Sequence, residues 1–328
     1  MDSLIQNGVN WIVAVQSLGG WLEVPMKFFS FLGSENFFFL VLPLIYWCID
    51  SRLGLQVAMI LAASNNLKPI LKMFFADPRP YWVSAQVKAL VADGSFGIPS
   101  GHAQDAAALW GIMASGVRKR WAWIAAFALA FLIGFSRLYL GAHFVHDVLA
   151  GWLVGAGLLW AFMRFWDSVA AWLKTQSLGQ QVMIAFVISI ILVAIGALVV
   201  ARLDGYTFPE EWRDNALRVS DELPAPVSME GVLTSAGSLF GLAAGAAWIA
   251  SRGGYQVSGP MGKRALRYVL GLIGILILWQ GLGLVLPRDE NLISYTLRYF
   301  RYALVGFWVT AGAPWLFFHF KLADRSKI

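Results

Sequence analysis

The chain has 328 residues, of which 59% are hydrophobic and only 13% charged, with a mean hydropathy of +0.65. That balance excludes a soluble globule, where charged residues make up about a quarter of the total, and describes an integral membrane protein. The formal net charge of +6 does not imply nucleic acid as a partner, because the basic residues are scattered between apolar runs rather than collected in a stripe.

Sixteen tryptophans suit a chain with many membrane–water crossings. The lone Cys48 excludes an intramolecular disulfide. The N-terminus shows no basic segment followed by a short apolar core and a cleavage site, so no removable signal peptide is expected. Residues 4–20 mix Trp11, Ile12 and Val15 with Asn7, Asn10 and Gln16, which predicts an amphipathic helix in the interface. The first span is predicted over Phe28–Ile49 and the second over Leu53–Phe75, the latter carrying Asn65, Asn66, Lys68 and Lys72 in its last two turns. A loop from Asp77 to Ser100 follows, punctuated by Pro78, Pro80, Gly94, Gly97 and Pro99.

His102–Val117, Trp121–Leu140 and His143–Trp166 read as the third to fifth spans, and residues 167–180 as an amphipathic surface stretch. Gln181–Arg202 is almost wholly apolar and long enough to cross. An acidic, proline-bearing loop occupies 203–229, and three more spans follow near 230–250, 267–286 and 298–320, ahead of a basic tail. The expected fold is therefore an all-α polytopic bundle of about nine spans, with a core over residues 1–166 and a four-span extension over 167–328.

Lysines and arginines in short loops set the orientation. One side collects Arg52, Arg118, Lys119, Arg120, Arg164, Lys174, Arg252, Lys263, Arg264, Arg267, Lys321, Arg325 and Lys327. The other has Lys88, Arg213, Arg218 and Arg288. The first side is expected to be cytoplasmic, with the N-terminus outside and the C-terminus inside. Segments 77–101 and 141–143 then face outward, to the periplasm or exterior if the membrane is bacterial and to a lumen if it is eukaryotic.

Three outward segments carry ionisable residues, which are costly at the edge of hydrocarbon and mark a functional site by default. Lys72 ends one span, and Arg79 follows with prolines on both sides that narrow its backbone freedom. Ser100 is a plausible N-cap whose following N–H groups offer an anion site, Gly101 permits close backbone approach, and His102 projects from the first turn, where it could protonate a leaving oxygen. Arg137 closes a span, and His143 and Asp147 stand four apart, sharing a helix face. The carboxylate could hold one ring nitrogen and make the other a better nucleophile, and an arginine beside it suits a phosphate. Asp105 either orients His102 or packs, Lys68 reads as a partner of Asn65 or Asp105, and His146 and His319 read as interfacial or packing residues. No cluster with metal-ligand spacing argues for a metal, and no cofactor is expected.

Lys72 with Arg79-Pro80, Pro99-Ser100-Gly101-His102, and Ser136-Arg137 with His143 and Asp147 resemble the three signature motifs of the type-2 phosphatidic acid phosphatase superfamily. The predicted topology, Arg79-Pro80-Tyr81-Trp82, Ala142-His143-Phe144-Val145-His146 and Gly237-Ser238-Leu239-Phe240-Gly241-Leu242 further resemble glucose-6-phosphatase over most of the length. Asp147 departs from that pattern, which has an amide there, and the loop 83–98 is shorter. The superfamily resemblance implies that Lys72, Arg79, Ser100, Gly101 and Arg137 bind phosphate, that His143 attacks phosphorus with Asp147 orienting it, and that His102 protonates the leaving group. It implies vanadate sensitivity and no metal.

The leading expectation is an outward-facing phosphatase of lipid phosphate or diphosphate esters, with membrane lipid as its surroundings and substrate source. Alternatives are a phosphatase of a soluble sugar phosphate, a lipid phosphotransferase, and a non-catalytic carrier or lipid-binding protein. Headgroup, chain length and oligomeric state are not encoded in these motifs.

Overall fold

A computed structural model describes residues 3–325, with side chains from residue 5; Lys327, counted among the cytoplasmic cations, lies outside the described residues. Among the described residues all regular structure is helical: α1 (Ser3–Gln16), α2 (Glu23–Leu32), α3 (Glu35–Leu44), α4 (Ser51–Phe75), α5 (Pro80–Val83), α6 (Gly101–Asp105), α7 (Gly111–Val117), α8 (Arg120–Tyr139), α9 (Val145–Lys174), α10 (Leu178–Arg202), α11 (Glu210–Leu217), α12 (Glu230–Ala250), α13 (Met261–Leu276), α14 (Leu282–Val285), α15 (Leu292–Phe307) and α16 (Ala313–His319). Wider π turns over Ile45–Ile49, Ala106–Trp110, Ile277–Gly281 and Trp308–Gly312 join or extend several of these.

Five helical runs among the described residues are long and apolar enough to cross a membrane, or six if one bent pair counts as a single span. They lie over 120–139, 145–174, 178–202, 230–250 and 261–285. The other expected spans differ for identifiable reasons. Phe28–Ile49 is divided between α2 and α3, a pair bent by 50°. At the bend, Gly33 sits where a Cβ would strike Ile133, and the Ser34 hydroxyl accepts a hydrogen bond from the Phe37 N–H at 3.3 Å, opening α3. In α4, polar side chains dilute the run, and Asn66, Lys68 and Lys72 are buried against protein. The run over 101–117 is made of short pieces joined through the wider turn at Ala106–Trp110. The run over 292–319 is diluted by Arg298, Arg301 and the Gly312-Ala313-Pro314 step. The expected surface stretch 167–180 is instead the continuation of α9 to Lys174.

The chain divides into two compact units. The first comprises the described part of Met1–Phe38 with Leu67–Trp160 and Leu198–Ser228, and holds all three motif segments. Small residues let its backbones meet. Gly151 and Gly155 of α9 stand four apart on one face, and a Cβ on either would strike the carbonyl oxygen of Ser100 or Gln104, respectively. Close packing of glycine faces is how helices associate where lipid supplies no hydrophobic drive. It seats the start of α6 directly on α9. Gly141 has φ +71°, and beyond it the N–H groups of Ala142 and His143 both donate to the Arg137 carbonyl at 3.0 and 3.3 Å, so α8 ends in a tight turn that aims His143.

The second unit comprises Phe39–Asn66, Ala161–Ala197 and the described part of Met229–Ile328. The same device recurs there. Gly237, Gly241 and Gly245 form a stripe on α12 against the Tyr299, Ala303 and Phe307 backbone of α15. Arg267 is fully buried and donates to the carbonyls of Leu322, Trp47, Val257 and Ser258 and to the Tyr255 hydroxyl, a set that contains no carboxylate.

These contacts predict that Gly155→Leu pushes α9 off α6 and lowers the detergent melting temperature, at a cost of about 1–3 kcal/mol for overpacking. Gly157→Leu, where a Cβ meets nothing within 4 Å, is expected to melt with the parent.

Candidate active site

The three segments converge in the first unit. Arg79 is the hub. It has no exposed surface, and its guanidinium is bonded on every nitrogen. Nε donates to the Ser95 carbonyl at 2.6 Å, and Nη2 donates to the Ser95 hydroxyl at 3.1 Å and the Phe96 carbonyl at 3.3 Å. Nη2 also pairs with the Asp93 carboxylate at 2.7 Å. Nη1 donates to the Ala142 carbonyl at 2.9 Å and reaches His143 Nε2 at 3.3 Å. Lys72 comes to the same loop, donating to the Ser95 hydroxyl at 3.0 Å and the Phe96 carbonyl at 2.7 Å.

His143 lies in the turn before α9, buried. Its Nδ1 is 3.1 Å from Asp147 Oδ2, which also accepts from the Phe144 N–H at 2.9 Å. A guanidinium has only donors, so the nitrogen facing Arg79 must present a lone pair. The ring is therefore neutral, with its proton on Nδ1 toward the carboxylate and a bare Nε2 beside a fixed positive group. Burial, then the positive charges of Arg79, Lys72 and Arg137, hold His143 well below the usual imidazole range, consistent with that form. An unprotonated nitrogen next to cationic donors suits attack on an oxyanion-bearing centre such as phosphorus.

The remaining predicted residues adjoin this pair. The Ser100 N–H donates to the Asp147 carbonyl at 2.9 Å. Ser100 does precede α6, but its hydroxyl caps nothing; it is buried without a hydrogen-bond partner. Arg137 donates to the Ser30 hydroxyl at 2.5 Å, leaving a buried Nε unpartnered. Such orphaned buried groups are rare and mark a place where a ligand supplies the missing bond. Gly101 lies over the Lys68 stem, where a Cβ would meet Cδ at 2.9 Å. The Lys68 ammonium is bound to Asp105 at 2.7 Å and Glu35 at 3.1 Å, so its charge is spent within the protein. His102 follows Gly101 in the first turn of α6, with its Cβ against the Gly33 position, and its ring takes no part in the Arg79–His143–Asp147 chain of contacts.

Several contributors escaped the sequence reading. Ser95 accepts from both Lys72 and Arg79, and Asp93 pairs with Arg79; the available signal was that Asp93 is the sole acid between Asp77 and Asp105 and opens an Asp-Gly turn. Burial raises its carboxyl, but the Arg79 and Lys72 charges and hydrogen bonds from Ser95 outweigh that and hold it well below the ordinary carboxylate range. His146, expected to be a packing residue, is 2.9 Å from Asp77 and 3.3 Å from Asp147 Oδ1. The loop 203–229, read only as acidic, brings Phe208 and Trp212 onto Trp82 and Tyr206 onto Phe96, roofing the Arg79 segment with aromatic rings.

Asp93→Asn is expected to leave Arg79 without its counter-charge and, by loosening its aim, to cut turnover on the order of 100-fold. Because the folded carboxyl is depressed, its stabilisation is present above the unfolded value and is lost as pH falls through the folded one. The stability gap between parent and Asp93→Asn, measured by thermal melts, should be open at neutral pH and narrow on acidification below about pH 4. Gly97→Ala places a Cβ 2.9 Å from the Pro78 carbonyl and 3.0 Å from Asp147 Oδ2. It is expected to reduce turnover more than substrate affinity, read as a kcat loss in steady-state kinetics.

Comparison with known proteins gives the family. Residues 53–171 match the family model described as the PAP2 superfamily, and residues 233–325 match the one described as PAP2 superfamily phosphatase, transmembrane extension. Glucose-6-phosphatase 3 of Homo sapiens is 33% identical, over 49% of this chain and 53% of that protein. The chain thus spans about half the length of the first curated relatives it matches. Phosphatidylglycerophosphatase B of Bacillus subtilis is 30% identical, over 45% of this chain and 77% of that protein. Among solved structures, a transmembrane PAP2 type phosphatidylglycerolphosphate phosphatase from Bacillus subtilis aligns with a TM-score of 0.44 at 26% identity, over 51% of this chain and 89% of that one.

Proposed function

We propose, from the premise that this chain belongs to the PAP2 superfamily, that it is an integral membrane phosphatase hydrolysing lipid phosphate or diphosphate monoesters through a phosphohistidine. The observation that carries the reading is the placement of His143: Nδ1 on Asp147 at 3.1 Å and Nε2 at 3.3 Å from Arg79. Lys72 and Arg137, with Ser100 and the Gly101 backbone, bind the non-bridging phosphate oxygens, and Arg79 joins them by exchanging an internal acceptor for phosphate. Their charge is worth most in the transition state, when negative charge builds on those oxygens. His143 Nε2 attacks phosphorus as the ester P–O bond breaks, and His102 gives its proton to the leaving oxygen. Asp147 stabilises the positive charge that forms on the ring. In the second half, His102 takes a proton from water, the water oxygen attacks phosphorus, and the P–N bond breaks to release phosphate and restore His143. No step calls for a metal.

The proposed site lies at the outer face of a nine-crossing chain with its N-terminus outside and C-terminus inside, residues 1–166 forming the phosphatase core and 167–328 the extension. The loop-charge asymmetry supports that orientation. A second reading is hydrolysis of a soluble sugar phosphate, favoured by the 33% identity to glucose-6-phosphatase 3. Asp147, an acid where that family's pattern has an amide, favours the lipid reading.

The test is phosphate release by purified protein across phosphatidic acid, phosphatidylglycerol phosphate, prenyl diphosphates and glucose 6-phosphate. Release is expected to persist in EDTA, to stop with vanadate, and to fall by roughly three orders of magnitude or more in His143→Ala. A labelled donor should leave an acid-labile, alkali-stable label on the parent and none on His143→Ala. Faster turnover of glucose 6-phosphate than of every lipid would select the second reading, and loss of all activity in EDTA would remove the metal-free route.

A further inference from the structure

We infer that Asp77, His146 and Asp147 form an inhibitory binding site for a zinc-class divalent cation, built onto the back of the His143–Asp147 pair. His146 Nε2 is 2.9 Å from Asp77 Oδ2 and 3.3 Å from Asp147 Oδ1, and the three ligand atoms lie within 4.8 Å of one another. Bonds of about 2.0–2.2 Å to a tetrahedral zinc put neighbouring ligands about 3.3 Å apart, so the side chains need little movement to close on the ion. One imidazole nitrogen with two carboxylate oxygens leaves a fourth position for water, and the nitrogen donor and low ligand count favour zinc over magnesium or calcium.

Two further observations point to a ligand at this place. Asp147 has no exposed surface, and while Oδ2 is engaged by the His143 ring and the Phe144 N–H, Oδ1 is buried without a hydrogen bond and faces His146. The site is also preformed and reachable. The His146 ring stacks on Phe144 with centroids 5.3 Å apart, and the Asp77 carbonyl accepts from the Gly97 N–H at 2.8 Å, fixing the turn that carries it. The His146 and Asp77 side chains remain about one-third exposed, so an ion can enter from water without passing the phosphate side.

A cation on Oδ1 draws negative charge away from Oδ2, the oxygen that holds the His143 ring. The carboxylate then supports less positive charge on the imidazole as Nε2 attacks, and phosphoryl transfer slows. This inhibition rests on the proposed phosphatase reading, but the ion site itself does not.

The experiment is calorimetric titration of zinc chloride into the purified full-length chain in detergent, with phosphate release followed in parallel. One zinc per chain is expected, with release falling as the site fills and returning on chelation. Asp77→Asn should weaken zinc binding by roughly tenfold or more, as loss of a ligand or its support does at protein metal sites, while zinc-free release is retained. His146→Gln should weaken binding likewise, read by calorimetry alone, and circular dichroism should match the parent for both. Cobalt in the parent chain should give tetrahedral visible bands that zinc displaces, a readout that needs no variant to fold. No zinc binding by the parent, or equal binding by parent and folded Asp77→Asn, would overturn the site. Binding at the site without loss of phosphate release would overturn the inhibition. If no substrate is hydrolysed at all, the phosphatase reading fails by itself, and calorimetry and cobalt still decide the site.

Discussion

A buried guanidinium that cannot give up its proton is the constraint around which the first unit is arranged. Arg79 has to be matched on every N–H, because an unpaired charge inside the protein costs several kcal/mol. Its acceptors come from Asp93, Ser95 and Phe96 on one side and from Ala142 on the other. Satisfying one side chain therefore clamps the loop that follows α5 to the turn that precedes α9. The same arginine then lies against the free nitrogen of His143. Structural neutralisation and chemical alignment are thus one arrangement, and neither can be altered without the other.

A polar cluster of this kind has to be assembled from helices that have little reason to associate in lipid. Glycine supplies the means. Gly151 and Gly155 let α9 touch the backbone of α6, and Gly97 lets the loop pass beside the Asp147 carboxylate. Among the buried side-chain atoms of the described residues that lack a hydrogen bond are Ser100 Oγ, Arg137 Nε and Asp147 Oδ1. Those three orphans all belong to residues singled out by their motifs, which makes the site complete as a fold and incomplete as a set of hydrogen bonds. The second unit uses the same glycine packing but satisfies its buried Arg267 entirely with neutral acceptors.

His146 illustrates a residue whose meaning depends on its neighbours. Along the chain it is one histidine among apolar residues at a helix start. In space it bridges a carboxylate from the turn after α4 and the carboxylate that orients His143. Lys68 shows the converse. Read from the sequence as a partner of Asn65 or Asp105, it does meet Asp105, and Glu35 shares its charge.

Composition and local spacing alone determined that the chain is helical and membrane-bound and that His143 and Asp147 are partners; the grouping of Lys72, Arg79, Ser100, Gly101, His102 and Arg137 with them was an expectation carried by the resemblance of the three motifs. Those properties rest on hydropathy within one run, or on residues four apart on a helix, so neighbouring sequence encodes them. Which acceptors satisfy Arg79, which histidine nitrogen stays bare, where α2 breaks from α3, and which helices hide polar side chains were decided only in the tertiary structure. Asp93 meets Arg79, and Asp77 meets His146, through chain reversals whose geometry is set by packing rather than by spacing. A polar residue in a helix likewise reads the same whether it faces lipid or, like Asn66 and Lys72, the inside of the protein.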